Sequence, residues 1–247
     1  MEEYFQAAER LGFRIIDVND GNIHNMRQLT HLVAAKDEHS LIKPLCPTFL
    51  SALCVNARIV NAQWLIQSDD AGVLLPLENF AVSAHAAEKQ HNFSLDESLA
   101  RGAQAHSQGG ILRGRIVYLC DGAANDIPKH SFSNLLSAAG AMEVKTRSGL
   151  DNLITDGEGK SVLVVTSGPI TQGSKGCGTR CLTMIDFLHV LLHQSIDSIP
   201  DEFPVVLRMD NAAAHRTTAD RVVAVIVDQY FGHSPELNPL DVSYFDV

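Results

Sequence analysis

The chain is poor in the features that mark secreted, membrane-spanning and metal-binding proteins. Its five cysteines, Cys46, Cys54, Cys120, Cys177 and Cys181, are odd in number and widely spaced. That does not suit a disulfide framework and suits buried thiols in a reducing compartment. Cys177 and Cys181 sit four apart, but no second ligand pair accompanies them, so zinc is not expected. The eleven histidines are scattered, with no His-Glu-x-x-His spacing. The N-terminus, Met1-Glu2-Glu3-Tyr4, is acidic and lacks an apolar signal core. No apolar run approaches a membrane span; the longest, residues 222–227, stops at Asp228. Positive charge is scarce, with 19 Lys and Arg against 29 Asp and Glu, a net charge of −10. A phosphate backbone would be repelled, which argues against broad, sequence-independent DNA binding. The expectations are no cofactor, no membrane and no direct nucleic-acid contact.

What remains is the composition of an ordered protein. Hydrophobic residues make up 45% and charged residues 19% of 247, enough for one large or two small domains. Tyr4, Phe5, Ala8 and Leu11 have helical spacing, and Gly12 stands where a helix ends. Residues 13–17 read as a strand, 19–27 as a polar loop and 29–34 as a buried strand. Pro47 opens a helix whose apolar face is Phe49, Leu50 and Leu53. A short strand at 58–60 leads to a helix carrying the chain's single tryptophan, Trp64, with Leu65 and Ile66. This β–α alternation suits a parallel sheet flanked by helices.

Residues 69–110 read as a linker with structure of its own. Ser94 and Glu97 have capping-box spacing and predict a helix start. Gln108-Gly109-Gly110 reads as the flexible end. A second pass of the same pattern follows. Residues 115–120 and 161–166 are strands. Phe132, Leu135, Leu136 and Ala139 share a helical face that Gly140 stops, and residues 185–192 form a helix where the first pass has Trp64 and Leu65. One motif repeats at a spacing of roughly a hundred residues.

The run Thr30-His31-Leu32-Val33-Ala34, the helix after it, and Arg58-Ile59-Val60 before Trp64 resemble the BRCT repeat. Residues 88–101 and 112–118 are similar to the linker of tandem BRCT proteins such as the mediator of DNA-damage checkpoint and PAX-interacting proteins. The resemblance implies an α/β fold of tandem BRCT repeats, each a small parallel sheet flanked by helices, plus an irregular C-terminal extension. It divides the chain into a first repeat at 1–83, a linker with a helix at 84–110, a second repeat at 111–203 and a tail at 204–247. It implies a non-enzymatic, nuclear adaptor of the DNA-damage response that binds a protein or phosphoprotein peptide at the seam between repeats. Oligomeric state is left open.

In that family a Ser/Thr hydroxyl and a glycine amide ending the first strand hold the phosphate, with a lysine sixteen residues before the tryptophan. Here that lysine position is Thr48, with Lys43 nearby; these two are the phosphopeptide-binding positions the resemblance implies. The family's arginine three residues earlier reads Leu45. Structural readings stand beside the functional ones: Trp64 as a core anchor, Thr48 as a helix-start residue, Lys43 as a solvated charge. Residues 2–11 already correspond to the first helix of the repeat, so its first strand is expected to be missing, with backbone groups open to another chain.

The tail has a different character. Residues 205–215 run from an apolar stretch into Asp210-Asn211 and His215, and Ser234-Pro235-Glu236-Leu237-Asn238-Pro239-Leu240-Asp241 follows. The pair is similar to motifs of mariner-type DDE transposases, in which the positions of Asp210 and Asp241 hold divalent metal. No metal is expected here, because the third carboxylate would fall within the second repeat. The tail reads as an inactive remnant, or as a plain extension of the second repeat.

Overall fold

A computed structural model describes residues 2–16, 26–34, 44–120, 123, 127–144, 152, 162–166, 180–196 and 222–226. The elements run in the order α1 (Glu2–Arg10), β1 (Arg14–Ile16), β2 (His31–Ala34), α2 (Pro47–Cys54), β3 (Arg58–Asn61) and α3 (Gln63–Ala71). A 3-10 turn (Leu77–Phe80), α4 (His85–His91) and α5 (Leu95–Ser107) connect the halves. Then come β4 (Ile116–Leu119), α6 (Lys129–Ala138), β5 (Met142–Val144), β6 (Val162–Thr166), β7 (Arg180–Thr183), α7 (Met184–His193) and β8 (Val222–Ile226).

These strands form two four-stranded sheets. The second has the order β5-β4-β6-β7 with every pair parallel. Its two central strands, β4 (Ile116-Val117-Tyr118-Leu119) and β6 (Val162-Leu163-Val164-Val165-Thr166), are short, mostly apolar runs, as expected for strands covered on both faces. The first sheet has the order β1-β8-β2-β3. There β2 and β3 are parallel, while β8 from the C-terminal extension runs against both its neighbours. The edges of the sequence pattern therefore hold, but β5, β7 and β8 are additions, too short or too distant for local periodicity to reveal.

Trp64 anchors a core between the first sheet and helices α1 and α3. It is 2% exposed, stacks on Phe13 at 5.5 Å and on His31 at 5.1 Å, and donates its indole N–H to the Leu75 carbonyl at 2.9 Å. Burying about 150–250 Å² of aromatic surface is worth up to about 4–6 kcal/mol at ~25 cal/mol per Å². The indole bond also ties the chain after α3 back to the core. On the other face of the first sheet lies a larger core that does not stop at the end of the first half. It runs from Leu32, Phe49 and Leu53 to Phe132, Leu135, Phe187 and Leu191 without interruption.

The linker is built in rather than loose. Ser94 caps α5, its Oγ accepting from the Glu97 amide at 3.4 Å. The expected flexible end instead packs tightly. Gly110 has φ +107°, and a Cβ there would lie 2.3 Å from the Ala139 carbonyl oxygen, a space only glycine leaves open. The Leu112 amide donates to that same carbonyl at 2.8 Å.

Candidate peptide-binding seam

Helix α2 decides how the halves meet. Every residue from Thr48 to Cys54 is buried. A helix apolar on all sides cannot face water, so it must be enclosed. The first sheet covers one side; α5, α6 and α7 cover the other. Pro47 at the first turn and the Cys46 side chain, which accepts from the Phe49 amide at 3.4 Å, start the helix where the sheet ends. One helix of the first half is thus wedged among two of the second and the linker helix.

The contacts at this seam are close. A Cβ on Gly102 of α5 would stand 2.6 Å from the Leu53 carbonyl oxygen, so the glycine lets α5 lie against the end of α2. Gln194, 5% exposed, ends α7 and donates its Nε2 to the Leu191 carbonyl at 2.6 Å and to Cys54 Sγ at 3.3 Å. Burial pushes the Cys54 thiol up to about 12, so it is an unreactive packing group. At the seam's surface, Arg27 donates its Nε to the Ser137 carbonyl at 3.0 Å, reaching from the first half to the end of α6. Arg101 of α5 donates to the His193 carbonyl at 3.1 Å and pairs with Glu97. Both guanidinium groups meet helix C-termini, where a positive charge is favourable.

A histidine cluster lines the linker side. His91 of α4 meets His189 of α7 edge to face at 5.6 Å, and His189 lies 6.2 Å from His193. Desolvation lowers the pKa of all three; for His189 the neighbouring His91 and His193 lower it further, and for His193 Arg101 does. The cluster therefore packs neutral. Among the described residues no group of three or more potential ligands could hold a metal ion.

The positions singled out in the sequence fall as follows. Thr48 is in the first turn of α2 and is 8% exposed. Lys43 lies outside the described residues, so the two are not shown together. Asp210, Asp241 and Cys177 also lie outside them. No helix among the described residues is long and apolar enough to cross a membrane.

No family model and no curated protein matches the chain. Among solved structures it is similar to the crystal structure of the S. pombe Brc1 BRCT5-BRCT6 domains. The TM-score is 0.55 at 18% identity, over 71% of this chain and 88% of that one. The fold is that of a tandem BRCT pair. Within that fold, α2 of the first half packs against α6 and α7 of the second. The seam residues absent from the sequence reading are Gly102, Gln194 and Arg27. A glycine inside an otherwise regular helix was the one signal available, since it weakens a helix unless something packs against it.

Proposed function

We propose that this chain is a protein-interaction adaptor of the nuclear DNA-damage response that holds a partner peptide at the seam between its BRCT repeats. The observation that carries the reading is the single core running through α2, α5, α6 and α7. It fixes two repeats in one relative orientation, which is what a composite binding surface needs. The four-part domain division stays part of this proposal.

Recognition in this adaptor does not depend on phosphate. A phosphoserine brings nearly two negative charges and needs charge-assisted partners. Thr48, at the lysine position of phosphate-binding pairs, is 8% exposed and carries no charge. The strand in the place of the first strand, Val222-Val223-Ala224-Val225-Ile226, has no hydroxyl. The tail from 204 is read as a non-catalytic, transposase-derived segment on the strength of its motifs.

The test is a peptide array of matched phosphorylated and unphosphorylated sets, followed by titration of the hits. Binding that survives dephosphorylation and the double change T48A/K43A supports the adaptor without phosphate recognition. Binding lost on dephosphorylation returns Thr48 and Lys43 to a phosphate site. Binding that survives a change at the seam such as Leu53→Arg, in protein still folded by circular dichroism, removes the seam from the proposal.

A further inference from the structure

The second sheet is a template for the first. In it β4, the first strand of its repeat, lies in the interior, parallel to β5 on one side and to β6 on the other. The equivalent interior position of the first sheet lies between β1 and β2. It is filled by β8, which belongs to the far end of the chain and runs antiparallel to both neighbours. Arg14 stands opposite Ile226 and Ile16 opposite Ala224; on the other flank Leu32 stands opposite Ala224 and Ala34 opposite Val222.

The flanks need an occupant. With β8 in place Ile15, Ile16 and Leu32 are each 2% exposed and Val33 is 0% exposed; emptying the position would bare this apolar surface and unpair the backbone groups that β8 now meets. Buried amides and carbonyls must be paired. Among the described residues β1 pairs with β8 alone, and β2 with β3 and β8. Parallel and antiparallel ladders both satisfy these groups. What an interior position demands is an unbroken apolar, β-branched run, since helices cover both faces. Residues 222–227, Val-Val-Ala-Val-Ile-Val, are the longest such run in the chain.

We infer that the first repeat carries a strand-acceptor slot whose occupant is residues 222–226 of the same chain, closing the sheet in cis and holding the slot against any other strand. The 25 residues from 197 to 221 could extend about 80 Å, ample for return to the same molecule. A tethered segment also has an effective concentration of order mM, which favours it over a second copy. The inference rests on strand pairing alone and does not require peptide binding at the seam.

Cysteine pairs in the full-length chain read both occupancy and direction. Directly opposed antiparallel residues have Cα atoms about 4.5–5.5 Å apart, within disulfide range. The pair R14C/I226C is expected to cross-link within one chain at least ten times faster than R14C/V222C, by non-reducing electrophoresis and peptide mapping. Preferential cross-linking of R14C/V222C overturns the antiparallel direction. Covalent dimers of R14C/I226C overturn closure in cis. Failure of both pairs overturns occupancy. Independently, Ala224→Pro removes a ladder donor. Hydrogen exchange at residues 31–34 is expected to speed at least a hundredfold relative to residues 162–166; an unchanged ratio overturns the inference.

Discussion

Replacing Gly102 by alanine tests the seam through the sign of its effect. An exposed helical glycine gains up to about 1 kcal/mol when it becomes alanine, because the backbone loses less entropy on folding. Gly102 lies within α5 but beneath the end of α2, and the added Cβ would come 2.6 Å from the Leu53 carbonyl oxygen. An ordinary C···O contact is about 3.3–3.6 Å, so α5 must withdraw by roughly 0.7 Å or more. The obstacle is backbone, within a helix buried on all sides, and cannot swing away. Overpacking of this kind costs about 1–3 kcal/mol. With the full propensity gain of about 1 kcal/mol taken off, the net is a loss of up to about 2 kcal/mol. For a chain of this size that lowers Tm by up to about 8 °C. Thermal melts by circular dichroism read it, with Gln104→Ala on the exposed face of the same helix as the control. A Tm that rises in Gly102→Ala would refute the close approach and with it the docking of the linker.

Three further outcomes are expected. Burial, then the charge of Arg58, holds the His31 imidazole down to about 4, so the folded state binds its proton less readily than the unfolded state and stability falls as pH drops from about 7 towards 4. The full shift would be worth about 3 kcal/mol; partial exposure and stacking of a cationic ring on Trp64 reduce this to about 1–2 kcal/mol. Urea titrations across that range should show the slope, and His31→Phe should flatten it; an unchanged slope removes His31 as the cause. The neutral cluster of His91, His189 and His193 has the same sign, so amide protection in residues 85–91, taken relative to the intrinsic exchange rate at each pH, is expected to fall as the pH drops below the ordinary imidazole range, and protection indifferent to pH there counts against the cluster. Trp64→Ala removes a fully buried indole and leaves the Leu75 carbonyl without its donor, at a cost of about 3–5 kcal/mol; a loss under about 1 kcal/mol by denaturant titration would contradict its place in the core.

What the sequence determined by itself was local. Glycine after α1, proline opening α2, serine capping α5 and the periodic faces around Phe49, Trp64 and Phe132 each act within a few residues, through backbone geometry and side-chain spacing. Those signals were enough for two copies of one α/β motif and a structured linker. The tertiary structure alone decided the rest. Gln108-Gly109-Gly110 has the composition of a flexible hinge, yet Gly110 is there because a carbonyl of the next helix presses on it. Helix α2 could be read as apolar, but not as wedged among α5, α6 and α7, because an apolar face names no partner. The run at 222–227 could be read as apolar, but not as the interior strand of a sheet some two hundred residues earlier. Strand pairing is set by backbone groups that every residue carries, so the place where a strand finds its neighbours is decided by which flanks the folded chain leaves to be filled.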